Sequence, residues 1–271
     1  MKKALFKYPG AKWRLADWII SYFPEHHSYL EAFFGSGGVF FSKTPSNIET
    51  VNDMDGDIVN LFWWIQHDPE KLANAIRWTP YARDIYEEAF QKQYTETDSF
   101  QRAVYFYIRM MMGHGFRTTG EHVGWKNDVQ GRAKSYAATC WVETPERIME
   151  AAERLRGVQV ENRPAVEVIK RMNHPKVLIY ADPPYVLSTI RQKQYKHSMT
   201  DDDHVELLET LKAHQGPVVL SGYDNPLYEK LLISGGGWHK ATKNDVTQVG
   251  SKREEVLWMN FEPQTDRQLS L

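Results

Sequence analysis

Four short apolar runs, at residues 29–34, 48–51, 177–180 and 217–220, constrain this chain most strongly. Each reads as a strand buried on both faces, as strands of a parallel sheet are. Between them, residues 58–66, 165–172, 202–213 and 226–232 place apolar side chains at three- and four-residue spacing, which predicts helices. Asp201, Asp202 and Asp203 follow Thr200, so acids crowd the positive end of the helix dipole and mark a helix start. Strands alternating with helices predict an α/β fold with a parallel, doubly wound sheet. Residues 256–261 read as a final strand, expected antiparallel at the sheet edge.

One stretch breaks the rhythm. From about residue 69 to 155 no parallel strand is evident. Helical patterns at 71–77, 83–94 and 100–112 lead into a polar, glycine-bearing loop over 113–120 and further loop through Lys126 and Arg132. A helix at 145–155 follows. Such a stretch is too long for a simple connection within a sheet. The expected division is a catalytic α/β domain over 1–66 and 156–271, with a helical second domain over 67–155.

Composition sets outer limits. Hydrophobic residues are 42% of 271, enough for a core and against global disorder. The net charge of −2 and pI near 6.6 give no overall basic footprint, so contact with nucleic acid needs a local basic patch. A single cysteine, Cys140, excludes an internal disulfide and reads as packing. The opening residues carry lysines with no apolar run behind them, and no segment reaches membrane-spanning length. The expectation is a soluble, cytoplasmic protein with no membrane contact. No metal is expected, since no histidine shows ligand spacing and no second cysteine exists.

Candidate chemistry gathers where the predicted strands end, which is where open α/β sheets bind ligands. The first run ends in Glu31-Ala32-Phe33-Phe34-Gly35-Ser36-Gly37-Gly38, a glycine turn that lets a ligand approach the backbone. Phe40 stands where a third dinucleotide-type glycine would be, which disfavours a nicotinamide site. The second run closes on Asn52-Asp53, and a carboxylate there can accept both ribose hydroxyls of a nucleoside. The other reading of this acidic cluster is a helix cap, with Asp55 or Asp57 in that role. The third run ends in Asp182-Pro183-Pro184-Tyr185. Two prolines remove two N–H donors, leaving a carboxylate and backbone carbonyls followed by an aromatic ring. An exocyclic amine on a nucleobase is a poor nucleophile, and acceptors on its hydrogens would draw it toward a tetrahedral, reactive nitrogen. Tyr185 would stack on a base extruded from its helix.

In this order the motifs resemble, over nearly the whole chain, those of the Dam-type (D12 class, α-group) DNA adenine-N6 methyltransferases. Lys7-Tyr8-Pro9-Gly10-Ala11-Lys12 is similar to the family's cofactor-contacting N-terminal segment, and residues 33–38 to its FxGxGG turn, though without the commoner Pro-Phe. Asp53 is similar to its acid after the second strand, and residues 182–185 to its catalytic DPPY. Residues 220–223 and 253–258 resemble its closing strands. The resemblance implies a Rossmann-like sheet with a helical target-recognition insert and S-adenosyl-L-methionine as methyl donor. The implied activity is N6 methylation of adenine in double-stranded DNA, by base flipping. It implies cofactor contacts from Tyr8, Lys12, Phe34, Gly35, Ser36, Gly37, Asp53 and Asp182, and catalysis by residues 182–185. Asn162, just before the catalytic strand, reads either as a contact to the cofactor's adenine or as a plain loop residue.

The insert departs from the GATC-specific members, whose loop carries an Arg-Tyr-Asn-type stretch where this chain has residues 114–120. Arg117, Thr118, Lys126 and Arg132 are the candidates for guanine edges or phosphates, and any one of them is equally a solvated surface residue. A monomer is expected, and the family admits a companion restriction endonuclease. The competing readings are amino methylation of cytosine N4, RNA adenine or a protein glutamine, and a non-catalytic nucleic-acid-binding protein of the same fold.

Overall fold

The computed structural model describes residues 4–114, 118–129, 136–186, 189, 195–235, 237–246 and 252–263, without the side chains of 245, 246, 252 and 253. In chain order these are α1 (Ala16–Ile20), β1 (Ser28–Glu31), β2 (Ile48–Asn52), α2 (Gly56–His67), α3 (Pro69–Arg77), α4 (Arg83–Gln91) and α5 (Ser99–Met112). Then come α6 (Tyr136–Val142), α7 (Thr144–Leu155), β3 (Gln159–Glu161), α8 (Ala165–Arg171), β4 (Val177–Ala181) and α9 (Asp201–Lys212). The chain closes with β5 (Val218–Tyr223), α10 (Pro226–Tyr228) running into a π turn at Glu229–Ser234, β6 (His239–Val246) and β7 (Lys252–Met259). Among the described residues no helix is long and apolar enough to cross a membrane.

The strands form one seven-stranded sheet in the order β3-β2-β1-β4-β5-β7-β6. The first five pair in parallel; β7 joins β5 antiparallel and β6 joins β7 antiparallel. This is the predicted Rossmann-like architecture with one correction. The closing strand is antiparallel as expected, but β6 holds the edge and β7 lies inside it. The sequence of β6, HKATKNDV, lacks the apolar run of a buried strand, because an edge strand needs little burial. The chain leaves β1 in one direction and β4 in the other, which opens a crevice beyond their adjacent carboxyl ends.

Helix starts follow local chemistry. Asp55 caps α2 by accepting from the Asp57 N–H, and Thr200 with Asp203 closes a reciprocal capping box on α9. Apolar faces of α2, α3, α5 and α7 share one cluster with side chains from β1, β2, β4 and β5, while α8, α9 and α10 cover the opposite face. Glu49 on β2 is buried and holds Arg154 of α7 through both oxygens, at 2.5 and 2.9 Å, and Lys43 at 2.6 Å. Tyr107 of α5 donates to the Leu5 carbonyl at 2.6 Å.

One carboxyl sits inside the sheet. Glu31 is 2% exposed and accepts from the Tyr29 hydroxyl at 2.7 Å. Burial pushes it from the ordinary 4.5 up to about 8, against the pull of that hydrogen bond. The folded state therefore holds a proton on Glu31 that the unfolded chain releases above pH 4.5. Stability from this group is complete below that value and falls as pH rises toward 8, by up to about 1.4 kcal/mol per pH unit. Glu31→Gln should flatten this decline, so that thermal melts at pH 8 show the variant gaining on the parent relative to pH 5. Parallel melting curves across that range would show that Glu31 is ionised in the fold.

Candidate active site

A cavity of about 750 Å³ opens at the crevice between β1 and β4. Its wall takes Tyr8 and Lys12 from the N-terminal segment, Phe34, Gly35 and Ser36 from the turn after β1, Asp53 from the end of β2, and Asp182 and Pro184 from the end of β4. The predicted residues thus converge from four separate parts of the chain.

The glycine turn is held from below. Gly35 has φ +50°, and a side chain there would press on the Tyr8 ring. Its N–H donates to Asp53 Oδ2 at 2.8 Å, while the Asp55 N–H donates to Oδ1 at 2.9 Å. Both Asp53 oxygens keep a lone pair for a further donor, which fits a vicinal diol. Burial raises the Asp53 carboxyl to about 6, although these N–H bonds oppose the rise. Asp55 takes the cap role, which leaves Asp53 facing the cavity.

Gly37, Pro183, Tyr185 and Asn162 are not part of the cavity wall. Gly37 has φ +69° and backs onto Phe34 and Phe41, which leaves no room for a side chain. Ser36 is buried and accepts from the Trp13 indole at 3.1 Å. Asn162 is exposed and donates its amide to the Asp53 carbonyl at 2.8 Å, fixing the backbone beside the cavity.

At the end of β4, Asp182 Oδ1 accepts from the Ser221 hydroxyl at 2.9 Å and meets the Lys12 ammonium at 3.1 Å. Because Ser221 spends its proton on Asp182, the Tyr180 hydroxyl at 3.0 Å must be the donor to Ser221. Lys12 also reaches Tyr185 Oη at 2.5 Å and Glu255 Oε1 at 2.9 Å. Burial alone would lower the Lys12 ammonium; Asp182 and Glu255 outweigh it and hold it raised, hence charged. Burial likewise pushes the Asp182 carboxyl up, with Lys12 and Ser221 pulling back. The Tyr185 ring lies parallel to Tyr223, centroids 4.1 Å apart at 19°.

Several contributors escaped sequence reasoning. Glu31 and Glu255 each had a faint signal, an acid inside a strand; Ser221 and Tyr223 lay in a segment matched only as a closing strand. Tyr195 and Lys196 also line the cavity, and nothing in their local sequence announces it.

Of the expected DNA contacts, Arg117 and Arg132 lie outside the described residues. Thr118 is buried, and its hydroxyl accepts from the Lys196 N–H at 3.0 Å, tying the insert loop to the cavity rim. Lys126 holds its backbone to Met112 and Tyr81, and its ammonium lies 5.5 Å from the Tyr136 ring centroid. Lys7 faces Lys126 rather than the cavity, and burial followed by that like charge lowers it to about 8. Among the described residues no group of three His, Cys, Asp or Glu side chains is placed to hold a metal.

The acidic wall fits S-adenosylmethionine, which carries a sulfonium and an ammonium: Asp53 and Asp182 face the cavity, with the protonated Glu31 beside them. No curated protein has a sequence that matches this one. Among solved structures, a provisionally named methylase from Haemophilus influenzae aligns at 13% identity and TM-score 0.38, covering 93% of this chain and 88% of its own. A SAM-dependent methyltransferase from Agrobacterium tumefaciens aligns at 16% identity and TM-score 0.27, covering 48% of this chain and 47% of its own. The model of the D12 class N6 adenine-specific DNA methyltransferases matches residues 8–246, most of the chain, and spans the cavity wall. The chain therefore belongs to that family and is an S-adenosylmethionine-dependent methyltransferase.

Proposed function

We propose that this protein methylates the N6 amino group of adenine in double-stranded DNA, with the target base flipped out of the duplex to reach Asp182. The observation that carries the reading is the position of Asp182. It ends β4 beside the glycine turn and Asp53, braced by Ser221 and Lys12. Bound S-adenosylmethionine would supply an electrophilic methyl group, with Asp53 accepting from its ribose and the Gly35 turn giving it close access. As the methyl passes from sulfur to nitrogen, positive charge moves onto the amine. Asp182 accepts a hydrogen bond from that amine and stabilises the charge where it develops; the N–H proton is then lost to Asp182 or to solvent. Pro183 and Pro184 hold this tip with no competing N–H donors.

Tyr185 and Tyr223 are too close to admit a base between them, since that would need roughly 7 Å between the rings. A flipped base therefore lies on the outer face of this pair or parts it. The insert supplies the duplex contacts: its loop meets the cavity rim through Thr118 and Lys196, and Lys126 adds a cation to a chain of net charge −2.

The direct test is incubation with S-adenosylmethionine and an unmodified duplex, followed by nucleoside analysis. N6-methyladenine is expected. N4-methylcytosine, or transfer to RNA in preference to DNA, would replace this substrate with another amine.

Asp182→Ala should slow transfer by roughly 10²–10³-fold or more while cofactor affinity stays within about an order of magnitude. Residual activity near that of the parent would remove Asp182 from the chemistry. Asp53→Ala should weaken cofactor binding measured by calorimetry, each lost charge-assisted hydrogen bond costing roughly 1.5–3 kcal/mol. Parent affinity should itself fall below about pH 6, where Asp53 takes up a proton. Unchanged affinity in the variant would leave Asp53 only its bonds to Gly35 and Asp55. For the insert, Lys126→Ala should lower DNA affinity about equally on all sequences and reduce the salt slope by about 1, whereas Arg117→Ala should relax choice at one base by roughly 1–3 kcal/mol. Binding titrations at several salt concentrations and the methylated-site profile separate the two roles. Parent-like results for both would move recognition to the helices before Met112.

A further inference from the structure

Glu255 is 3% exposed on β7, in register opposite Tyr223, and is not part of the cavity wall. Its neighbours Val256, Leu257, Trp258 and Met259 are all buried and apolar, so an acid in this row has no role in packing the core. What it meets is the Lys12 ammonium, which also meets Asp182 and Tyr185 Oη. These three oxygens lie within 3.1 Å of the one ammonium, Tyr185 Oη as a hydrogen-bond acceptor and the two carboxylates as ion-pair partners. One cation thus serves two carboxylates, Asp182 and Glu255. Without Glu255, Lys12 would turn more of its charge on Asp182.

That difference matters only if positive charge develops nearby, and in the reaction proposed above it does. We propose that Glu255 is a positioning residue for methyl transfer: it takes a share of the Lys12 charge, so that Lys12 orients Asp182 and Tyr185 without cancelling the negative charge Asp182 presents to the amine. Lys12 and Glu255 then act as one unit. Lys12 fixes the geometry, and Glu255 sets the charge at which that geometry is useful. A buried carboxylate is costly unless paired, so the pair is also held together by the penalty for parting it.

This inference rests on the adenine methyltransferase reading, and two measurements keep the two apart. The first is the single-turnover rate on duplex DNA at saturating cofactor for Glu255→Gln, Glu255→Asp, Lys12→Met and the double variant Lys12→Met/Glu255→Gln. Glu255→Gln should be slowed at least tenfold with cofactor affinity within threefold of the parent, and Glu255→Asp should regain most of the rate. The double variant should be no more than twofold slower than Lys12→Met alone. The second measurement needs no DNA: the titration of Asp182 followed by NMR in protein carrying ¹³C only in its aspartate carboxyls. Besides Lys12 and Glu255, the titratable groups that act on Asp182 are Glu31, Tyr180, Tyr185, Tyr195 and Tyr228, and the label leaves all of them silent. Glu255→Gln should lower the Asp182 midpoint by at least one pH unit, because Lys12 is then left to Asp182 and Tyr185. An unmoved midpoint, a parent-like rate in Glu255→Gln, or losses that simply multiply in the double variant would overturn the proposal. A parent protein that fails to methylate adenine would overturn the substrate instead, and the midpoint shift would still be expected.

Discussion

A charged amine that is 5% exposed cannot be left unmet, and the carboxyl edge of this sheet is built around meeting the one on Lys12. Its partners come from β4, from β7 and from the residue that ends the DPPY tip, with Tyr185 lying 173 positions along the chain. To satisfy the ammonium, the N-terminal segment must lie across the mouth of the crevice. There Tyr8 packs over Gly35, and Trp13 reaches Ser36. The glycine turn is thereby clamped between Tyr8 above and Asp53 below. One buried cation thus fixes the glycine turn, the Asp182–Tyr185 tip and β7 relative to one another.

The helices between α2 and β3 are fastened to the same frame by different means. Their apolar faces run into the cluster that covers one side of the sheet. Gln66 donates to the carbonyls of Leu155 and Val158, and Arg154 grips Glu49 in a bidentate pair beside Lys43. A bidentate, buried guanidinium–carboxylate contact resists rotation as well as separation. The loop that carries Thr118 and Lys126 therefore rises from a rigid base at the rim of the cavity. In the proposed reaction, that is where a duplex would rest for one base to reach Asp182.

The strands and the chemistry at their ends were legible because parallel strands are buried on both faces and so read as continuous apolar runs. Val177-Leu178-Ile179-Tyr180 leading into Asp182 is the clearest instance. The edge strand β6 was illegible for the converse reason: with little to bury, HKATKNDV carries no periodic signal. Helix α6 has no legible signal in the sequence, since its seven residues are too few to establish a period. The site shows the same division. Asp53, Gly35 and Asp182 stand in local motifs whose spacing reflects their geometry. Glu255, Ser221 and Tyr223 matter through partners far away in sequence, and no local pattern encodes a contact that depends on how β5 and β7 pair. Asn162 shows a third case: the position was found, but its amide is spent on the Asp53 carbonyl.

The charge distribution explains how such a protein could handle an anionic polymer at all. Asp53 and Asp182 line the cavity, and Glu255 stands behind Lys12, so the interior suits a cationic cofactor and an amine that becomes cationic. The same field repels phosphate. In the proposed reaction a flipped nucleotide would be drawn in by its base, through stacking and hydrogen bonds, with its backbone held back at the rim. Lys126 and Lys7, which face each other, come from the insert and from the N-terminal segment and not from the strand ends. Keeping acids in the cavity and these lysines outside it separates two tasks that a uniformly basic surface would confuse, and it does so at a net charge close to zero.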